Sequence, residues 1–308
     1  NDIILANGLK KNWLIKPLVE LLDSIQLPGF NGFSLFDLIE MYFLGIVKGA
    51  LTARAGSISF SFFMAIFPFL LFILNLIPFI PIQNLDSILL EFIEILVPNG
   101  SQEFFSSIFQ DIQNKPRGGL LSSVFILSII LTANGVSAIF AGFEESYHIE
   151  LSRNFLKQYL YSLAVGILLA ITLLIAVIFA IYFEIYIYNN IREILQNTLD
   201  WLLLGKSLFY ILLIYINVSI LYYYGTIEGK KSNFFSPGAL MTTLLIMTTT
   251  SLFGIYIDNF STYNQLYGSI GALLIFMLYI WLNSNVLLLG FELNATIMRL
   301  KNEVPKNK

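Results

Sequence analysis

The polar side chains in the stretch WLNSNVLLLGFELNA (residues 281–295) are the first candidates for chemistry. This stretch carries three amides and one carboxylate within a long apolar run. On a helix, Asn283 and Asn294 share one face, whereas Asn285 and Glu292 lie roughly opposite. Hydrocarbon offers no partner for an amide, so a helix that is polar on both sides is expected to lie at the centre of a bundle.

Glu292 is expected to pair with a cation, because a carboxylate near the end of an apolar stretch is costly to bury alone. Arg54, at the start of another apolar stretch, is predicted to lie at a similar depth, and we hypothesise an Arg54–Glu292 ion pair. Glu144 and Glu145 compete for the same arginine. If the pair forms, exchanging the two charges in a double variant should restore the folding that each single variant loses.

A second group of polar positions begins at Arg54. Ser61, Pro68 and Asn75 follow it at intervals of seven residues, so the four form one slowly drifting stripe on a helix. Pro68 removes a backbone donor and predicts a kink. Asn134 lies beside a face of small residues on another apolar stretch. Two interpretations remain open for all of these residues, a polar substrate pathway or a polar packing seam between helices.

An enzymatic site is the alternative for the acidic segment FEESYHIELSRNF (residues 143–155). A metal-dependent nuclease needs clustered carboxylates and a positive surface for phosphates, and Glu144, Glu145, His148 and Glu150 are the candidates. The chain has no cysteine, so thiolate metal sites are excluded, and its net charge of −3 predicts no nucleic-acid partner. The simpler interpretation is a solvated loop, so we expect no catalytic residue, no metal and no cofactor.

The composition determines which solvent surrounds these residues. Of the 308 residues, 57% are hydrophobic and 12% are charged, and the mean hydropathy is +0.77. Soluble domains have about 25% charged residues. A chain with so few polar side chains cannot cover a globule with a hydrated surface, which indicates an integral membrane protein.

Uncharged apolar runs of membrane-spanning length occur six times, which predicts an all-α bundle of six transmembrane helices. Residues 1–55 would form a cytoplasmic N-terminal segment, residues 56–299 the transmembrane domain, and residues 300–308 a cytoplasmic tail. Short helices in residues 82–118 are expected to cover the outer mouth of the bundle. The predicted spans are residues 56–78, 119–143, 159–183, 207–225, 237–257 and 267–297.

The segment SLFDLIEMYFLGIVKGALT (residues 34–52) has apolar residues at helical spacing. Ser34 followed by Asp37 is typical of a helix start, so an amphipathic helix on the cytoplasmic surface is predicted. The orientation follows from Lys and Arg, of which thirteen fall on the side of both termini and four on the other side. Both termini are therefore predicted to be cytoplasmic.

The last span resembles the closing segment of the YihY/BrkB family of bacterial inner-membrane proteins. The segment 236–239 (SPGA) before the fifth span also agrees, whereas Phe291 stands where the family commonly has Ala. The matching positions of the last span are Tyr267, Gly268, Ser269, Gly271, Trp281, Gly290, Glu292, Leu293 and Asn294.

The resemblance implies six transmembrane helices and no settled biochemical activity. Some members were once labelled ribonuclease BN, a label regarded as a misassignment, others are linked to serum resistance, and lipid movement has been suggested for relatives. We therefore expect a transporter or flippase of a lipid-like or amphipathic substrate, with membrane lipids as partners. The alternatives are a non-catalytic scaffold that maintains the envelope and, less favoured, a membrane-bound nuclease.

Overall fold

The computed structural model describes residues 16–26, 34–76, 121–146, 155–183, 199–226, 228–231, 233–259 and 269–303. Within them the chain is helical, apart from an isolated β-bridge between Gln26 and Ser34 and the connecting turns. A short 3-10 helix comprises Glu228–Lys231. The α-helices are α1 (Lys16–Ser24), α2 (Leu35–Lys48), α3 (Leu51–Leu76), α4 (Leu121–Glu144), α5 (Phe155–Tyr182), α6 (Leu199–Gly225), α7 (Pro237–Asn259) and α8 (Ser269–Glu303).

Among the described residues, five helices contain apolar segments long enough to cross a membrane. They belong to α4, α5, α6, α7 and α8, which coincide with the second to sixth predicted spans. The first predicted span falls within α3, whose apolar segment Leu51–Ile66 is shorter. The helical membrane bundle is therefore confirmed, whereas the number of six spans and their direction stay predictions. The predicted outer helices in residues 82–118 and the last residues of the tail lie outside the described residues.

The N-terminal amphipathic helix begins as predicted and ends earlier. The backbone N–H of Ser34 donates to the carboxylate of Asp37 (2.8 Å), and the N–H of Asp37 donates to Ser34 Oγ (3.2 Å). This reciprocal capping fixes the start of α2. The helix stops at Lys48 rather than at Thr52, because Ala50 adopts a φ of 46° and turns the chain into α3. The short helix α1 has no counterpart in the predictions.

Replacing Ala50 with glycine is expected to raise the stability of the protein. A side chain at positive φ meets the neighbouring carbonyl, a contact that glycine avoids, so the gain should be about 1 kcal/mol. The melting temperature of purified protein in detergent measures it. Ala53→Gly is the matched control, because Ala53 lies inside α3 and should lose about 1 kcal/mol. Two equal losses would show that the turn is not strained.

The six long helices form a closed ring in sequence order. Each of α3 to α7 contacts the helix that follows it, and α8 returns to contact α3. Across the ring α4 also contacts α6 and α8, and α2 packs on the outside against α8. Neighbouring helices run in opposite directions, so the starts of α3, α5 and α7 lie at the same end as the ends of α4, α6 and α8. We call this the Arg54 end of the ring, and it is the end predicted to be cytoplasmic.

Burial is concentrated at the Arg54 end. On α6 the residues Val218–Tyr222 are all buried. From Leu204 to Asn217 every residue of the same helix keeps part of its surface exposed, on all faces. The largest core cluster joins the Arg54 ends of all six ring helices, including Ile58, Phe140 and Leu288. Within the described residues the ring is therefore packed most densely at the Arg54 end, and a smaller buried cluster at the other end joins Phe253 and Ile257 of α7 to Ile275 of α8.

Candidate functional site

A buried ion pair lies at the centre of the Arg54 end. Nη2 of Arg54 on α3 is 2.6 Å from Oε1 of Glu292 on α8, and the two side chains are 2% and 0% exposed. Nη1 of Arg54 donates to the carbonyl of Gly142 at 2.8 Å. Ser146, just after α4, donates to Oε2 of Glu292 at 2.8 Å. The predicted ion pair is confirmed, and it joins three elements of the ring.

The two competing acids do not take the place of Glu292. Glu145 is exposed, and Glu144 is buried at the end of α4. The Nε atom of Arg54 has no hydrogen-bond partner among the described residues. An ion pair removed from water in this way adds little net stability compared with apolar side chains of the same volume. We therefore expect the ion pair to determine which faces of α3, α4 and α8 meet, more than to add stability.

Tyr42 brings the amphipathic helix α2 to the same cluster. Its hydroxyl donates to the carbonyl of Leu289 at 3.2 Å. Burial, and to a lesser degree the negative charge of Glu292, raise the pKa of the Tyr42 phenol to about 12. Tyr42 is therefore neutral and a hydrogen-bond donor throughout the physiological pH range, and it ties α2 to the outer side of α8.

The start of α7 is held by the last helix. Oδ1 of Asn294 accepts the backbone N–H of Gly238 (2.8 Å), and Nδ2 of Asn294 donates to Ser236 Oγ (2.8 Å). Ser236 Oγ also accepts the N–H of Ala239 at 3.3 Å. The first N–H groups of a helix have no partner within it. Asn294 and Ser236 together provide such partners away from water, and Pro237 suits the first helical position because it has no N–H.

Asn294→Ala is expected to destabilise the protein by about 1–2 kcal/mol, as does the loss of a helix cap in soluble proteins. The melting temperature in detergent reports the loss. Asn285→Ala is the matched control on the same helix, because Nδ2 of Asn285 only donates to the carbonyl of Trp281, four residues earlier. A fall of the same size in both variants would mean that Asn294 contributes nothing as a cap.

The helices α7 and α8 approach each other closely at two glycines. A Cβ atom on Gly290 would overlap Thr242 Oγ1 and lie 2.6 Å from the carbonyl oxygen of Gly238. A Cβ on Gly238 would overlap the carbonyl oxygen of Gly290. Tyr222 of α6 completes the contact, since its hydroxyl bonds Thr242 Oγ1 and donates to the carbonyl of Leu287 (2.6 Å). Both positions therefore require glycine because a side chain would collide with the neighbouring helix, and not because of their backbone conformation.

Aromatic rings fill the space between these polar groups. Phe143 of α4 and Phe291 of α8 stack with ring centroids 4.1 Å apart and an interplanar angle of 9°. Tyr222 meets both rings edge-on, at 5.5 Å and 5.7 Å. Offset-stacked and edge-on pairs of this kind stabilise by about 0.5–1.5 kcal/mol beyond the area that they bury. The ring is thus closed at the Arg54 end by an ion pair and an aromatic stack, side by side.

The other polar residues that the sequence singled out are not brought to this cluster. Asn283 donates to its own helix, to the carbonyl of Tyr279 (2.9 Å), and its Oδ1 has no partner among the described residues. Ser61 is half-buried on α3. Asn134 is exposed on α4. The helix α3 continues through Pro68, but the side chains of Pro68 and Asn75 lie outside the described residues.

The acidic segment considered for a nuclease is described only in part. Glu144 and Glu145 belong to the end of α4, whereas His148 and Glu150 lie outside the described residues. In the described ranges no group of three His, Asp or Glu side chains is placed to hold a metal ion. The contributions of Ser146, Gly142 and Tyr42 to the ion-pair cluster were not predicted, because each lies on a different element from Glu292 and follows no shared spacing with it.

The sequence of the chain is similar to those of several known proteins. The sequence model of the family described as virulence factor BrkB matches residues 43–308. The ribonuclease-like protein YfkH of Bacillus subtilis is 27% identical over 260 residues, which cover 83% of this chain and 93% of YfkH. A UPF0761 membrane protein of Coxiella burnetii is 24% identical over 251 residues, covering 79% of this chain and 87% of that protein. No solved structure matches the chain.

Proposed function

The chain belongs to the virulence factor BrkB family and is a membrane protein, and from this premise we propose that it moves a lipid-like, amphipathic molecule across the bacterial inner membrane. The path would run through the interior of the helix ring. The observation that carries the proposal is a contrast within the described residues: buried contacts join all six helices at the Arg54 end, whereas every residue of α6 from Leu204 to Asn217 keeps part of its surface exposed toward the other end.

The closed end supports a transporter because its contacts are of the kind that can separate. The pair α3–α4 is held together at Gly135 and Gly142, which lie against side chains and backbone of α3. The pair α7–α8 is held at Gly238 and Gly290. Between the two pairs stand the Arg54–Glu292 ion pair and the aromatic stack, which are side-chain contacts. Breaking them would open the Arg54 end while both tightly packed helix pairs stay intact.

The chemistry of α6 favours an amphipathic substrate over an ion. From Ser207 to Gly225 this helix carries no charged residue, and its partly exposed positions include Tyr210, Tyr215 and Asn217. This aromatic and apolar surface suits acyl chains, since its one amide, Asn217, already donates to the carbonyl of Leu213 and accepts from Thr172 of α5. An ion would require charged side chains or several converging carbonyls instead.

Reconstitution tests the proposal. Purified protein in phospholipid vesicles should move fluorescent phospholipids between leaflets, measured as the fraction that dithionite reaches, faster than protein-free vesicles do. Glu292→Gln, which removes the charge but keeps the shape and one hydrogen bond, should change that rate. Gly205→Ala is the matched control, because a Cβ there meets nothing within 4 Å. Movement equal to that in empty vesicles, for several headgroups, would contradict the proposal and favour the scaffold.

We also propose that the protein catalyses no reaction. The test is RNA cleavage by purified protein compared with a variant in which Glu144, Glu145 and Glu150 are all replaced by alanine. Equal background cleavage by both is expected. Cleavage that the triple variant loses would support the nuclease instead.

A further inference from the structure

Asn134 lies where a membrane helix offers its amide no partner. It is near the middle of the 20-residue apolar segment Phe125–Glu144. Its side chain is exposed, and its amide makes no hydrogen bond within the described part of the chain. Three other amides of the spans behave differently: Asn217, Asn283 and Asn285 each donate to the carbonyl four residues earlier in their own helix.

Helix geometry places Asn134 on the outside of the ring. Phe143 comes nine residues later, which is two and a half turns, so the two side chains leave α4 on opposite sides. Phe143 points inward, because it stacks on Phe291 of α8. The flanks of α4 are also occupied, since Gly135 lies against α3 and Phe140 packs on Tyr161 of α5. The face that carries Asn134 therefore points away from every helix of the ring.

The residues around Asn134 on this face form a continuous exposed stripe. Ile126 and Ile130 are exposed toward the start of α4, and Ala141 toward its end. Ala138 is half-buried one turn after Asn134. Ala138 and Ala141 follow Asn134, and such small residues allow two membrane helices to approach closely; an amide beside that crossing can hydrogen-bond between them.

We propose that this outward face of α4 is the interface between two copies of the chain, in which the two Asn134 amides hydrogen-bond each other across a twofold axis. An amide is self-complementary, since it offers both N–H donors and a carbonyl acceptor. A twofold axis brings a residue near the axis against its own copy. If this face contacted acyl chains instead, the amide would have no hydrogen-bond partner. Placing an unpaired amide in a hydrocarbon-like solvent costs several kcal/mol. This dimer does not depend on the proposed transport function.

The cysteine-free chain allows a direct test by disulfide cross-linking in native membranes. Ala138→Cys keeps Asn134 and places a thiol beside the axis, so mild oxidation should yield a covalent dimer. Ile171→Cys is the matched control, because Ile171 is 51% exposed on α5 but belongs to another face. Adding Asn134→Leu to Ala138→Cys should lower the cross-linking rate about tenfold, because the variant loses the pair of hydrogen bonds between the two amides in the membrane.

Two outcomes would overturn the dimer. One is cross-linking of Ala138→Cys no faster than that of Ile171→Cys. The other would come from native mass spectrometry of the protein released from lipid nanodiscs. A monomer that retains a phospholipid, which the Asn134→Leu variant loses, would show that the amide binds a lipid headgroup. The melting temperature of Asn134→Leu in detergent is expected to be unchanged or higher. It serves as the control that loss of the dimer does not result from unfolding.

Discussion

Replacing Gly290 with alanine is expected to abolish the packing of α7 on α8. The new Cβ would overlap the Thr242 hydroxyl and press on the carbonyl oxygen of Gly238 (2.6 Å) and the hydroxyl of Tyr222 (2.7 Å). Two of these neighbours hold each other by a hydrogen bond, and the third is backbone, so none can move away cheaply. A loss of at least about 3 kcal/mol follows, enough to prevent recovery of folded protein.

The measurement is the fraction of monodisperse protein after extraction into mild detergent, together with its melting temperature. Gly254→Ala is the matched control in α7, because a Cβ at Gly254 meets nothing within 4 Å. That variant should be neutral or gain up to about 1 kcal/mol from its higher helix propensity. If Gly290→Ala were as stable as Gly254→Ala, the close approach of α7 and α8 would be wrong.

Removing one partner of the buried ion pair should have an effect of similar size. Arg54→Ala leaves the Glu292 carboxylate, which is fully buried, with Ser146 as its one remaining side-chain donor in the described structure. It also leaves the carbonyl of Gly142 without the guanidinium. An uncompensated buried charge costs about 3–5 kcal/mol, so we expect a strong fall in the melting temperature and in the yield.

The double variants separate the charge effect from packing. Arg54→Met combined with Glu292→Met removes both charges and should recover most of the lost stability. The charge exchange, Arg54→Glu with Glu292→Arg, should recover less, because it forfeits the hydrogen bonds from Arg54 to Gly142 and from Ser146 to Glu292. If the double methionine variant were no more stable than Arg54→Ala, the loss of stability would result from altered packing and not from an unpaired buried charge.

The sequence predicted the features that rest on helical periodicity and on the cost of burying charge. Glu292 and Arg54 are rare charged residues at the ends of apolar runs, and each needs a partner in hydrocarbon, so their pairing could be proposed from depth, with Glu144 and Glu145 as competitors for the same arginine. The same holds for the cap of α2, because Ser34 and Asp37 lie within one turn. Five apolar runs were recognised for the same reason, since their length matches a bilayer.

Other features depended on which face of a helix lies inward, and periodicity does not decide this when every face is apolar. Asn134 was therefore grouped with the substrate pathway, whereas the structure places it on the outside of the ring. Asn283 and Asn285 were expected to face partners across helices, yet their N–H groups return to their own backbone. The stack of Phe143 on Phe291 joins residues far apart in the chain with no spacing in common.

The relatives indicate which contacts of the closed end are expected to be shared and which are expected to vary. YfkH and the UPF0761 membrane proteins match most of this chain at low identity, so the ring of helices is expected in them as well. Phe291 is not expected to be shared, because the position is commonly Ala in the family it resembles. The contact between Gly238 and Gly290, which both lie within the matching positions, would then be the common part of the closed end, and the aromatic stack its variable part.

Labelling of single cysteines from the two sides of the membrane tests most directly whether the ring is open at the end opposite Arg54. Ile211 shares the inward face of Tyr222, three turns away, and is partly exposed, whereas Leu212 is exposed on another face of α6. A membrane-impermeant maleimide added outside intact cells should label Ile211→Cys and not Leu212→Cys, whose thiol faces acyl chains. Equal labelling of the two positions, or labelling of Ile211→Cys only from the cytoplasmic side, would contradict an interior that is closed at the Arg54 end and open at the other.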